Sequence, residues 1–448
     1  MTERQRLIRP RDRDAIIQSL RAGVTPKTGL QHIQVGRARE VEALLKDIGR
    51  ILDGGAAFRL VVGAYGSGKS FFLQLVRAIA LEKGLVTLHA DLSPDRRLYA
   101  TGGQARNLYA ELTRNLSTRT RPDGNGVQAV VEKFLAEARK EADSGGGTME
   151  AAIERRLGAI SELVGGYDFA SVVKAYWRGF EAGDDGAMAN AVRWLRGEFA
   201  TRTDARAALG VRTIIDDGSV YDALKIMSLF VRQAGYGGLL VCLDEMVTLY
   251  KLASQRARLA NYEQILRILN DCLQGTAGFM GFILCGTPDF LYDPRKGLFS
   301  YEALQSRLTD NMFAKAAGVV DYDAPVLPLG SLTPEELYVL LGNIRNVYAS
   351  GDPAKYLVPD EALTAFLEHC SKKIGEAYFR TPRSTIKAFA DFLAVLEQNP
   401  SIQWTALIDE VPVEEDRPSD MPEIVDDEKG AGTAEPGEPS GGLASFRL

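Results

Sequence analysis

The chain has 448 residues, 46% hydrophobic and 25% charged, the composition of a globular protein long enough for two or three cored domains. No apolar run approaches the ~20 residues of a membrane span, and the start, Met1 to Arg6, lacks the apolar segment of a secretory leader, so a cytoplasmic protein without membrane contact is expected. The net charge of -6 is uneven: twelve Asp/Glu against three Lys/Arg from Asp409 onward leave the remainder at +3, a balance that permits nucleic-acid contact without requiring it.

Residues 1–30 read as a basic arm, Arg4 to Leu20 being a helix or an ordered extension broken by Gly23 and Gly29. Val35-Gly36-Arg37 then enters a helix in which Val41, Leu44, Leu45, Ile48, Ile51 and Leu52 recur at helical spacing. Phe58 to Val62 is a short apolar run with the length of a buried strand, and it leads into Gly63-Ala64-Tyr65-Gly66-Ser67-Gly68-Lys69-Ser70. That stretch fits G-x-x-x-x-G-K-[ST], and Phe71 to Ile79 continues as a helix, so strand, glycine loop and helix follow in the order the motif needs. The glycines let backbone N–H groups turn inward around phosphate oxygens at the positive end of the helix. Lys69 is expected to reach the β- and γ-phosphates and the Ser70 hydroxyl to hold Mg²⁺. Phe71, the next residue, is counted with the loop among the nucleotide contacts.

Leu85 to Asp91 reads as a second strand, stopped by Pro94. Residues 98–220 are expected to be a helical insertion into a nucleotide-binding core made of 31–97 and 221–330, with Trp177 and Trp194 anchoring its packing. Past a glycine turn at Gly235 to Gly238, the unbroken run Leu239 to Leu243 ends in Asp244-Glu245. A strand buried on both faces reads this way, and ligands of parallel sheets sit at its C-terminal end. Asp244 is therefore expected to bind Mg²⁺ through water, and Glu245 to orient and deprotonate an attacking water. Phe279 to Gly286 is another such strand. Thr287 after it either senses the γ-phosphate and holds that water or is a turn residue. Arg307 either faces the site of a neighbouring subunit or lies in a surface ion pair.

Thr333-Pro334-Glu335-Glu336 is a capping box with proline at the first helical position. It opens an all-helical lid, 331–411, whose last helix begins near Arg383 and sets that side chain over the phosphates. Residues 412–448 are acidic and rich in Pro and Gly, which predicts disorder. The final Leu443 to Leu448 is a docking peptide or a frayed end. Four cysteines in apolar runs and three scattered histidines offer no metal-ligand spacing.

Val35-Gly36-Arg37, Gly63 to Ser70, Asp244-Glu245, Thr287, Ser306-Arg307-Leu308 and Arg383 together resemble AAA+ ATPases of the origin-recognition and replication-initiator type. There they would be the entry near the adenine, Walker A, Walker B, sensor 1, arginine finger and sensor 2. A closer resemblance, over roughly Gly23 to Leu396, is to ATP-binding proteins of BREX-type bacterial phage-defence systems. It adds Trp194-Leu195-Arg196-Gly197-Glu198, Gly235-Tyr236-Gly237-Gly238 and Pro328-Leu329 to those stretches. The resemblance implies an α/β P-loop NTPase (AAA+) fold, a parallel sheet flanked by helices with the insertion and lid described above. It also implies a cytoplasmic ATPase using ATP and Mg²⁺, oligomeric, and acting with other defence proteins on DNA. The preference for ATP over GTP rests on the same likeness. Replication initiators carry a winged-helix domain after the lid, whereas here an acidic tail follows, so direct duplex contact is not inherited. Hydrolysis that remodels or loads a DNA-associated complex is the leading expectation. A nucleotide-dependent switch with little turnover that recruits partners is the alternative. Kinase-like phosphotransfer fits the lid and the Asp244-Glu245 pair less well.

Overall fold

Five strands form one all-parallel sheet in the order β2-β3-β4-β1-β5. They are β1 (Ala56–Val62), β2 (Val86–Asp91), β3 (Leu239–Asp244), β4 (Met280–Gly286) and β5 (Val326–Pro328). The computed structural model describes residues 7–413. Strands β1, β3 and β4 are buried along their whole length, because helices cover both faces, and this is why they read as unbroken hydrophobic runs. Side chains alternate between two cores: Leu60, Val241 and Phe282 enter one, and Val61, Cys242 and Ile283 the other. Helices Ala38–Leu52 and Lys69–Glu82 supply the second core.

The first core is built by helices Val220–Gln233 and Gln255–Gln274 together with the insertion, whose helices run from Gln104–Arg114 to Arg202–Leu209. Phe134 and Phe169 of the insertion each pack against Phe230 of the core with ring centroids 5.1 Å apart. The insertion thus shares the core of the sheet. It also covers the sheet's edge, where Ser117 exchanges backbone hydrogen bonds with Thr87 of β2. Trp194 is buried and donates to the Thr213 carbonyl, while Trp177 is half-buried on the same core.

The lid has its own core, in which Phe366 of helix Asp360–Ile374 stacks on Phe392 and meets Phe389 edge-on, both from helix Arg383–Gln398. Helix Pro334–Tyr348 opens with the expected reciprocal cap: the Thr333 hydroxyl accepts from the Glu336 amide and the Glu336 carboxylate from the Thr333 amide. The basic N-terminal stretch forms helix Pro10–Arg21, which buries Ile16 and Ile17 in this lid core. Two of its arginines are engaged: Arg13 donates to the Tyr348 carbonyl at 3.0 Å, and Arg21 pairs with Asp391 at 2.9 Å. All four cysteines are buried and free. Among the described residues no helix is long and apolar enough to cross a membrane. The acidic tail from 414 onward and the terminal Leu443 to Leu448 lie outside the described residues.

His89 of β2 lies on the face turned to helix Lys69–Glu82. Burial, reinforced by Arg77 and Lys27, pushes its imidazole down to about 3. The folded chain therefore leaves His89 neutral where an unfolded histidine, titrating near ~6.5, takes up a proton. The sign follows: stability is fully present above that value and falls as pH drops below it, by up to ~1.4 kcal/mol per pH unit for one proton. Denaturant titrations at pH 7 and pH 5 should show a larger loss for the wild type than for His89→Gln. Equal losses would remove His89 as the source.

Candidate nucleotide-binding site

The strand order sets the site. With β4 between β3 and β1, the residues that follow the three strands, Glu245, Thr287 and Gly63, emerge side by side at the C-terminal edge. Two strand spacings, roughly 10 Å, separate the backbone of Glu245 from that of Gly63.

The loop curls in front of helix Lys69–Glu82, with Gly66 and Gly68 in the left-handed region at φ 75° and 88°. The ammonium of Lys69 folds over it and donates to the carbonyls of Gly63 and Ala64, both at 2.9 Å. Burial holds the Lys69 pKa below its ordinary value, opposed by Asp244 and Glu245. The Ser70 hydroxyl donates to Asp244 Oδ2 at 2.7 Å, and Asp244 Oδ1 accepts from the Glu245 amide at 2.8 Å. Hydroxyl and carboxylate oxygens in contact are a hard donor pair that suits Mg²⁺, so the residues present fit that ion. Glu245 is itself left-handed, φ 56°, an uncommon conformation for a residue with a side chain. Burial, then Asp244 and Asp91, push its carboxyl above the usual range, and Lys69 opposes them.

These groups line the polar end of a cavity of about 850 Å³ between the sheet, the N-terminal segment and the lid. Its other end is apolar, formed by Val24, Pro26, Ile33 and Val35 from the N-terminal side and Leu340 and Ile344 from the lid. A chamber with a charged end and an apolar slot can take a phosphorylated molecule with a flat base. Phe71 lines it too. Thr287 faces the cavity, and its hydroxyl accepts from the Phe290 amide to cap a short helix.

Arg37 braces the loop from behind, donating to the Ser67 carbonyl at 3.1 Å, and burial lowers its pKa. Gly36 is left-handed, and a Cβ there would lie 2.3 Å from Glu336 Oε1, so the lid's first cap rests directly on its backbone. Arg383 joins three parts of the chain, donating to the Gly23 carbonyl at 2.8 Å and to the Tyr65 hydroxyl at 3.1 Å. Arg307 stands apart from the cavity. It is exposed and donates to Asn270 Oδ1 and the Ala303 carbonyl, each at 2.8 Å, with no ion pair among the described residues.

Two features escaped the sequence. Asp91 ends β2 directly beside Asp244 and lines the cavity; its signal was the same as that of Asp244, an apolar run closed by a carboxylate. The contribution of Leu340 and Ile344 had no local signal, since it depends on how the lid docks.

Residues 8–411 match a family model described as BREX system ATP-binding protein BrxC/D. No curated protein matches the chain.

Proposed function

The chain belongs to the BREX system ATP-binding protein family BrxC/D, and from that premise we propose that it is an AAA+ ATPase that hydrolyses ATP with Mg²⁺. The observation that carries this is the placement of Glu245, left-handed and without a side-chain partner among the described residues, across the cavity from the glycine loop. A protein that only held nucleotide would not need a carboxylate there. Lys69 trades its two loop carbonyls for β- and γ-phosphate oxygens. Ser70 and Asp244 would hold Mg²⁺, which when bound supplies charge neutralisation between those phosphates. Glu245 takes the proton of the attacking water as its oxygen adds to the γ-phosphorus, and the bond to the ADP oxygen breaks. Thr287 steadies the water, and Arg383 exchanges Tyr65 for phosphate as the lid settles.

In this reading the chain forms homo-oligomers, Arg307 stabilises developing charge in a neighbour's site, and the cycle remodels or loads a DNA-associated anti-phage complex in the cytoplasm with other defence proteins. The test is turnover per subunit against protein concentration, with and without duplex DNA. Turnover should rise with concentration, and Arg307→Ala should abolish that rise while nucleotide affinity stays as in the wild type. Flat, slow turnover indifferent to DNA and to Arg307 would favour a nucleotide-dependent switch that recruits partners.

A further inference from the structure

Arg77 is 6% exposed. Its guanidinium makes one hydrogen bond among the described residues, from Nη1 to Gln74 Oε1 at 2.6 Å, and its Nε is buried with no partner. A guanidinium enclosed without a carboxylate is strongly unfavourable unless negative charge nearby offsets it.

That charge lies at the strand ends. Asp91 and Asp244 are register partners on β2 and β3, and Glu245 is the next residue. Neither Asp91 nor Glu245 has a side-chain hydrogen bond or ion pair among the described residues. Lys69 faces the acids from inside the cavity, with Lys251 beside Glu245 and Arg96 beside Asp91. Arg96 is shared with Glu111, 3.6 Å away. Arg77 comes from a different side. Its helix packs on β2, and it follows Ser70 by seven residues, two turns along the same helix face. Ser70 reaches Asp244 from that face, and Arg77 follows about 10 Å further along, in the layer between the helix and β2 where its charge and that of Asp91 act on one another. Thr87 Oγ1 and His89 Nδ1, buried and without partners on the same side of β2, continue this polar seam.

We infer that Arg77 is a positioning residue of the nucleotide site, a buried counter-charge that offsets Asp91, the carboxylate beside Asp244, so that a triphosphate can settle above the acidic strand ends. The inference rests on the reading of the cavity as a site for ATP with Mg²⁺. It carries a signature that packing does not share. A positive charge under the carboxylates favours an incoming anion and disfavours an incoming cation. Its removal must therefore move affinity for metal-free nucleotide and affinity for Mg²⁺ in opposite directions.

The experiment is calorimetric titration of the full chain with a non-hydrolysable ATP analogue, in EDTA and across a Mg²⁺ series, for wild type, Arg77→Met and Arg77→Lys, with thermal melts alongside. Arg77→Met should weaken metal-free binding roughly three- to tenfold and enlarge the enhancement by Mg²⁺ to a similar degree. Its melting temperature should hold or rise, because methionine fills the space without an unpaired charge. Arg77→Lys should restore most of both affinities. Unchanged affinities, or affinities that fall together with the melting temperature, would overturn the inference. A wild type that binds no nucleotide in either condition would overturn the reading of the cavity, and this inference with it.

Discussion

Glu245→Gln should lower ATP turnover by about 10²–10⁴-fold, the range of a lost general base, while ATP affinity falls little. Glutamine keeps the size and the left-handed backbone of Glu245 but cannot take the proton of water. The change also relieves the crowding of Asp91, Asp244 and Glu245, whose like charges and burial raise the Glu245 carboxyl. Binding should therefore be preserved or tightened. The variant should accumulate as an ATP complex, visible as stoichiometric nucleotide retained through gel filtration with no phosphate released. Turnover within a factor of three of the wild type would remove Glu245 from the chemistry and leave the water without a base.

Lys69→Ala should act one step earlier, on binding. Lys69 is the one ammonium set within the glycine loop, and the charge-assisted bonds it would make to phosphate oxygens are worth about 2–3 kcal/mol, or roughly 30- to 150-fold in affinity. Stability should change little. The mutation frees the Gly63 and Ala64 carbonyls, but Ala64 is exposed, and water can replace the ammonium at the open cavity. Calorimetry would give the affinity, and a melt in the absence of nucleotide would give the stability. An unchanged affinity, or a melting temperature that collapses, would contradict the assignment.

What could be read from the residues follows how local each determinant is. The glycine loop, the helix behind it and the Asp244-Glu245 strand end are each written within a few consecutive residues, so type and position were both legible. The helical character of 98–220 was legible as well, through its periodicity. That Phe134 and Phe169 would meet Phe230 was not, since that contact depends on which face of the sheet the insertion covers. The N-terminal arginines looked like a solvated arm because their partners, Tyr348 and Asp391, lie more than three hundred residues away in sequence. Arg77 was hidden in plain view: an arginine in an amphipathic helix looks like a surface residue until the sheet is laid against it.

The way the lid is attached sets how the chamber can open. Ile33 belongs to the lid core and Leu44 to the sheet core, while Leu329 belongs to the sheet and Leu332 packs with the lid. The chain therefore crosses between the two bodies twice, near 34–37 and near 330–331, and the first crossing holds the consecutive left-handed residues Gly36 and Arg37. A body fastened at two points turns about the line through them, like a door on two pins. Leu340 and Ile344 would swing with Val24 and Pro26 as one leaf, carrying most of the apolar slot away together. In the proposed cycle, product departure and refilling would then share a single motion. Its pace would be set at the hinge, where Arg37 donates to the Ser67 carbonyl, and stiffening Gly36 and Arg37 should slow exchange without altering any group proposed to touch the phosphates.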